Sequence, residues 1–473
     1  MDANPQSAPM LRHILEEFDQ CTDLIFRSFP EIRTEIVYFP SIVDHKLFTD
    51  EILAPFAQVQ LDEVEQLFQQ SQFTRVTDSK TVIAGILAGN VAIFHEKNIY
   101  LLNVYGPKTR DVQQSETETI IAGPHDAFVE SATTNISLIR QRIKSSHLKI
   151  MEYSVGEITK TSVYILYIKD IANMKYVEEL EKRIKRIEID AINDGGMLTQ
   201  FLEDSPNSVF PQFLTTERPD VAVSKLAAGR IITLIDNSPT AFAAPSAFFE
   251  FFSSPDDYYQ RWALGTALRL LRYLALLITI SFTAFYVSVT TFHYEMIPEA
   301  LLRTLAESRN RVPFPPVYEA LLMETMIELL REAGARLPTK IGQTIGIVGG
   351  IVIGQAAVQA GLTSNVLIIA VASSAIASFV IPSYMMSASI RLVRFGIIIL
   401  AGIWGNIGIA MGVALIVTHI SSLTSLGSSY LIPVAPMTLG DWKDTFIRAP
   451  FTFLTRRPSQ SQSPNPIKQI KRK

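Results

Sequence analysis

Between residues 341 and 361 the chain reads IGQTIGIVGGIVIGQAAVQAG, which sets Gly342, Gly346, Gly350 and Gly354 four residues apart. In helical geometry Thr344, Val348, Ile351, Gln355 and Gln359 fall roughly opposite those glycines. The chemistry such a face suits is the passage of ions. Rings of Val348 and Ile351, with a hydroxyl above and uncharged amides below, form a constriction that closes by dewetting and opens on a small rotation or tilt. Amides within a span are costly unless they meet partners or water. On the other face, glycine lets a neighbouring backbone approach, and close packing is what associates helices in lipid. Two uses of that face stay open. It packs against the next span inside one subunit, or it packs several copies about an axis so that the opposite face lines a pore. A second pattern precedes it: Glu324, Glu328 and Glu332 recur at i, i+4 and i+8 on a helical stretch at about 317–334. They read either as the water-facing side of an interfacial amphipathic helix or as an acidic vestibule that concentrates cations at a pore mouth.

The remaining residues argue against catalysis, a metal or a cofactor. The sequence has no G-x-x-x-x-G-K-[ST], H-E-x-x-H, G-x-S-x-G or G-x-G-x-x-G motif. Its seven histidines are scattered without ligand spacing, and Cys21 is its one cysteine, which leaves no disulfide within the chain and no Cys-based zinc site. The chain is expected not to be an enzyme. A net charge of −4 gives no reason to invoke nucleic acid. The charge run in EELEKRIKRIEID is expected to be a solvated helix face with i,i+4 pairs.

A pore face needs a membrane scaffold, and the apolar runs supply one. Of the 473 residues 48% are hydrophobic, and the excess is concentrated from about 268 to 420. Since about 20 apolar residues cross a bilayer, spans are expected at about 268–294, 341–361, 364–386 and 392–420. The last is longer than a crossing needs, so it tilts or kinks at its glycines. Arg269 and Arg272 at the start of the first span favour an N-terminus on the cytoplasmic side. Four crossings bring the basic tail back to that side, although Arg391 and Arg394 then lie where the charge rule disfavours them. Residues 421–447, with Pro433 and Pro436, leave re-entry into the interface open. The N-terminus has no basic segment followed by an apolar core, so no cleavable signal peptide is expected.

The charged half before residue 262 contains one internal similarity. TVIAGILAGNVAIFHEKNIYLLNVYG (81–106) can be laid over VAVSKLAAGRIITLIDNSPTAFAAPS (221–246). Each reads as a short helix capped by glycine, Gly89 or Gly229, followed by strand, turn and strand. The expected fold class is an α+β cytoplasmic N-terminal domain of two related subdomains followed by a multi-helix α transmembrane domain. The expected divisions are a mostly helical extension at 1–75, subdomains at 76–150 and 151–262, the transmembrane domain at 263–425, and a cytoplasmic segment with a disordered basic tail at 426–473.

The blocks GPHDAFVESATTNISLIRQRIKSSHLKI, SPNSVFPQFLTTERPDVAVSKLAAGR, SPDDYYQRW, FPPVYEALLMETMIELLREAGARLP, the glycine segment and DTFIRAPFTFLTRRP follow one another from about residue 123 to 458. In these blocks the chain resembles the GerA-type spore germination proteins, the A subunits of nutrient germinant receptors. The resemblance runs from about residue 80 to 458. It implies residence in the inner spore membrane and assembly with a permease-like B subunit and a C-subunit lipoprotein. It also implies a homo-oligomeric ring, a pentamer, acting as a nutrient-gated ion channel that triggers ion release as germination begins. The nutrient is expected mainly on the B subunit, so no ligand site is assigned here. A secondary transporter, or a scaffold that merely anchors a cytoplasmic signalling domain, are the alternatives that the residues themselves leave open.

Overall fold

The computed structural model describes residues 9–106, 115, 117–337, 350 and 352–468. Its N-terminal half holds two five-stranded sheets. The first comprises β1 (Ile25–Phe29), β2 (Thr34–Tyr38), β3 (Phe73–Val76), β4 (Asn90–His95) and β5 (Asn98–Asn103), ordered β1-β2-β4-β5-β3. The second comprises β6 (Leu148–Val155), β7 (Thr161–Ile168), β8 (Leu214–Thr216), β9 (Ile231–Ile235) and β10 (Ala241–Ala244), ordered β6-β7-β9-β10-β8. Both sheets therefore place their five strands in the same order, and all their pairings are antiparallel. The similarity at 81–106 and 221–246 falls on equivalent parts: α1 (Ser79–Leu87) precedes β4, and α2 (Pro219–Ala227) precedes β9. Gly89 and Gly229 follow these helices with the same φ of +88°, a left-handed cap open to glycine at little cost.

Alternation builds both cores. Val163, Ile165 and Tyr167 of β7 face one cluster with Tyr176, Leu180 and Ile184, while Leu166 faces another with Ala222 and Leu226 of α2. In the first sheet, Ala92 and Phe94 meet Val82 and Ile86 of α1, at i and i+4 like their counterparts on α2. The helix Met174–Lys185 buries Tyr176, Val177, Leu180 and Ile184, and carries Glu179–Arg183 and Glu181–Lys185 pairs at i,i+4. The charge run expected to be a solvated face is so except at Arg183, which turns inward to Asp204 and the Leu202 carbonyl.

The expected division at residue 75 does not hold. β1, β2 and all but the last residue of β3 come from the stretch read as a mostly helical extension. The edge strand β1, IFRSF, has no fully buried position, so it carries no apolar period. The expected boundary at 150 falls inside β6.

The second half is helical, as its composition demands. α3 (Trp262–Thr291), α4 (Glu299–Arg309), α5 (Pro316–Arg336), α6 (Asn365–Phe379) and α7 (Tyr384–Ser422) follow in order. By length and apolar composition α3 and α7 suffice to cross a bilayer among the described residues. α7 is not one straight rod. Gly405 has φ 59° and ψ −137°, outside the helical region. Ser389 donates to the carbonyl of Val209, and His419 meets Ser208 at 2.9 Å. On a straight helix residues 30 apart would be separated by about 45 Å. They touch adjacent residues because the chain reverses at Gly405. The two limbs press together at glycine: a Cβ on Gly408 would lie 2.0 Å from the Leu400 oxygen, and one on Gly412 would lie 3.2 Å from Ile397. The span expected at 392–420 is thus a hairpin of two helices.

α5 also differs from expectation. Its first turn meets Arg309 and the amide of Ser364 through Glu319, its middle meets Thr283 through Glu324, and its later turns meet Ser378 through Arg331. It runs the length of the bundle beside α3, where an interfacial helix would lie across one end. The tail differs as well. Arg457 donates to the carbonyl of Ala227, Ser463 donates to that of Ile171, and Gln460 and Ser461 are buried, so the chain up to Lys468 straps the second subdomain.

The reversal generates a stability prediction. An alanine at Gly405 would have to adopt a backbone conformation open essentially to glycine, and its Cβ would meet His293 and Phe292 at 3.0–3.1 Å. Gly405→Ala is expected to cost about 1–3 kcal/mol, read as a lowered unfolding midpoint of the detergent-solubilised protein. Gly396→Ala, whose Cβ meets nothing within 4 Å among the described residues, is expected to leave that midpoint unchanged or slightly raised.

Candidate functional site

Because α5 and the first limb of α7 pack side by side, the glutamates and arginines that the sequence separates by some sixty residues come together. Arg394 and Glu324 are both fully buried and pair at 2.6 Å. Arg394 also reaches Glu328 at 3.3 Å and donates to Ser374 at 2.8 Å. Arg391 bonds Glu328 at 3.2 Å and Ser387 at 2.9 Å. Arg331 adds a longer contact to Glu328, donates to Ser378, and lies 4.4 Å over the Phe379 ring. Thr283 of α3 donates to Glu324 at 2.7 Å. The cluster holds three arginines and two glutamates and ties α3, α5, α6 and α7 to one another.

This arrangement changes the expected acidic vestibule. Glu324 and Glu328 are turned into the bundle and neutralised by arginine, since spacing of four residues sets them on the face that packs against Arg391 and Arg394. Glu332 alone of the three is exposed, and there it pairs with Arg336 at 2.6 Å. Arg391 and Arg394, which the charge rule disfavoured as flanking residues, are interior partners instead. The sequence showed both halves of this cluster but nothing that joined them.

Of the expected pore face, Thr344, Val348 and Ile351 lie outside the described residues, as do Gly342 and Gly346. Gln355 and Gln359 are described, on a helical turn at 352–359, and both are exposed. Ala357 is the side of that turn that packs into the bundle, against a cluster with Ala284, Tyr286 and Ala320. On a helix this leaves the two amides pointing away from the chain's own core. A Cβ on Gly350 would meet nothing within 4 Å among the described residues, and one on Gly354 only the tip of Ile368 at 3.9 Å. At these two positions no described backbone uses the space that glycine leaves.

A second cluster sits where the N-terminal domain meets α3. Asp257 is fully buried and accepts from Arg269 at 3.1 Å and from Arg272 at 2.8 Å. Tyr258 donates to Asp444 at 2.8 Å, and Arg448 reaches the Tyr258 carbonyl at 3.2 Å. A Cβ on Gly265 would lie 2.7 Å from the Asp257 oxygen, so the glycine lets the domain seat against the helix. The sequence marked Arg269 and Arg272 only as orientation charges. Their carboxylate partner lies in SPDDYYQRW, where two adjacent aspartates gave no sign of which one is buried.

Breaking a buried pair leaves an uncompensated charge, typically at about 3–5 kcal/mol. Arg394→Met is therefore expected to lower the unfolding midpoint of the detergent-solubilised chain sharply. The double variant Glu324→Gln with Arg394→Met is expected to recover much of that loss. Additive losses in thermal unfolding would show that the two residues are not coupled.

Residues 12–460 match the family described as Bacillus/Clostridium GerA spore germination protein. The chain is similar to spore germination protein GerQA of Bacillus cereus, with 40% identity covering 97% of this chain and 93% of that one. It is 39% identical to spore germination protein A1 of Bacillus subtilis, covering 91% of this chain and 89% of the other. The uncharacterized membrane protein YfkQ of the same species is 38% identical, covering 98% and 94%. A crystal structure of the N-terminal domain of the A subunit of the Bacillus megaterium spore germinant receptor GerK3 covers 50% of this chain and 94% of that one, at 27% identity and a TM-score of 0.39.

Proposed function

Because the chain belongs to the Bacillus/Clostridium GerA family of spore germination proteins, we propose that it is the ion-conducting membrane subunit of a nutrient germinant receptor. In this function several copies, five by family resemblance, pack around an axis through residues 341–361. The glycine face meets neighbouring helices, and Thr344, Val348, Ile351, Gln355 and Gln359 face the ions. The observation that carries this proposal is the outward direction of Gln355 and Gln359, opposite the buried Ala357. Amides turned away from their own bundle inside a membrane segment need water or another chain. A water-filled axis between copies supplies both.

The apolar rings of Val348 and Ile351 hold the resting pore dry, and a small rotation wets it. Nutrient binding on a permease-like B subunit supplies the bias, with a lipoprotein C subunit completing the complex at the inner spore membrane. The N-terminal domain lies on the cytoplasmic side. α5 leads directly into the pore segment, and its glutamates lock it to α7, so the lock sets the position from which the pore segment starts.

Three substitutions test this function, the first two of them in spores. Val348→Ala or Ile351→Ala is expected to raise ion release severalfold without nutrient, measured as potassium efflux. A scaffold with no conducting role predicts no leak from either. Gly350→Leu is expected to abolish the ring on native electrophoresis, since among the described residues nothing lies within 4 Å of its Cβ and the space is left to a neighbouring copy. Retention of the ring with Gly350→Leu would remove the glycine face from the subunit contact.

A further inference from the structure

We propose that residues 433–450 form a collar that lies in the headgroup boundary of the bilayer, with a lipid surface as its partner. This rests on the membrane embedding of α3 and is independent of ion conduction. The collar is fixed to the first turns of that helix. The Arg448 carbonyl accepts from Thr266 at 3.2 Å, and the Thr445 carbonyl accepts from the Tyr273 hydroxyl at 3.0 Å. Arg269 lies 3.8 Å from Asp444 between those two contacts. On the same turns α3 shows Leu264, Leu270, Leu271 and Leu274 outward, each about half exposed. A level at which a spanning helix presents four leucines to its surroundings is a level of lipid.

At that level the collar is apolar on its outside. Met437 and Leu439 are each 65% exposed and Ile447 is 50% exposed, fractions unusual for large apolar side chains within a dozen residues of one another. Lys443 is exposed between them, and Trp442 is half-buried with its indole N–H donating to the Pro433 carbonyl at 3.2 Å. Apolar side chains flanked by a lysine and an anchored indole match the layer where acyl chains give way to phosphates. The segment does not cross the bilayer. It follows α7 back to the N-terminal domain, where Tyr430 donates to the Pro211 carbonyl, and then continues to the strap.

The test uses the full chain reconstituted in phosphatidylethanolamine–phosphatidylglycerol vesicles, with the buried Cys21 replaced by alanine. A polarity-sensitive fluorophore is attached at Leu439→Cys, at Leu264→Cys on α3, and at Ile158→Cys on the N-terminal domain, where the native side chain is 76% exposed. The Leu439 label is expected to be quenched by lipid spin-labelled near the headgroup severalfold more than the Ile158 label, and to be shielded from aqueous iodide. Iodide quenching equal to that at Ile158 overturns the collar. Protection from both quenchers also overturns it, because a second protein surface then covers the site. If the Leu264 label is likewise untouched by lipid, the embedding of α3 fails and the collar fails with it. Lipid quenching at Leu264 without quenching at Leu439 removes the collar alone.

Discussion

A bilayer cannot hydrate a guanidinium or a carboxylate, so every charge inside it must find its opposite within the protein. In this chain that constraint selects which helices lie together. Glu324 and Glu328 on α5 require Arg394 and Arg391 on α7, and satisfying them draws α5 from the membrane surface into the bundle. The serines of α6 and Thr283 of α3 add further hydrogen bonds to the cluster. Asp257 does the same at the domain boundary, where two arginines of α3 reach into the N-terminal half. The ion pairs fix registry between elements that apolar packing alone would allow to slide, since leucine gains little from meeting leucine in lipid.

Glycine appears in two roles that local sequence does not distinguish. In the 402–412 stretch the glycines are consumed within the chain: Gly405 turns it, and Gly408 and Gly412 let one limb of α7 lie against the other. At Gly350 and Gly354 the same spacing leaves space that the described parts of the chain do not fill. The first set therefore shapes the subunit. The second is what a contact between subunits would require.

How much was legible in the sequence depended on the range of the interaction that decides each feature. The capped helices before β4 and β9, and the solvated face of Met174–Lys185, follow from neighbours three to five residues away and were readable. The repeat marked the strand pairs β4–β5 and β9–β10, while the five-strand order that the two sheets share also depends on strands outside it. β1 was not readable, because its ladder to β2 comes from the backbone and its side chains are largely exposed. α5 resembled an interfacial helix because its carboxylates looked unpaired, their partners lying beyond two intervening segments. The reversal at Gly405 was hidden by hydropathy, which is the same for one long helix as for two short ones folded together. The face proposed to line a pore is a pattern of sequence, and the neighbours that would make it a pore belong to other copies of the chain.

The strap at the C-terminal end sets an order of assembly. Gln460 is buried with its amide on the Ser246 carbonyl, and Ser461 fills the space beside Gly229, so part of the surface of the second subdomain is made of residues that follow α7 in the chain. Those residues emerge only after every helix of the membrane half has been translated. The N-terminal domain can form its sheets early, as N-terminal units do during synthesis, yet it closes that surface only after α7 has been made and the chain has returned. Completion of the domain therefore reports that the membrane half is in place, and a chain truncated after α7 would leave the Ala227 and Ile171 carbonyls without their donors from the strap.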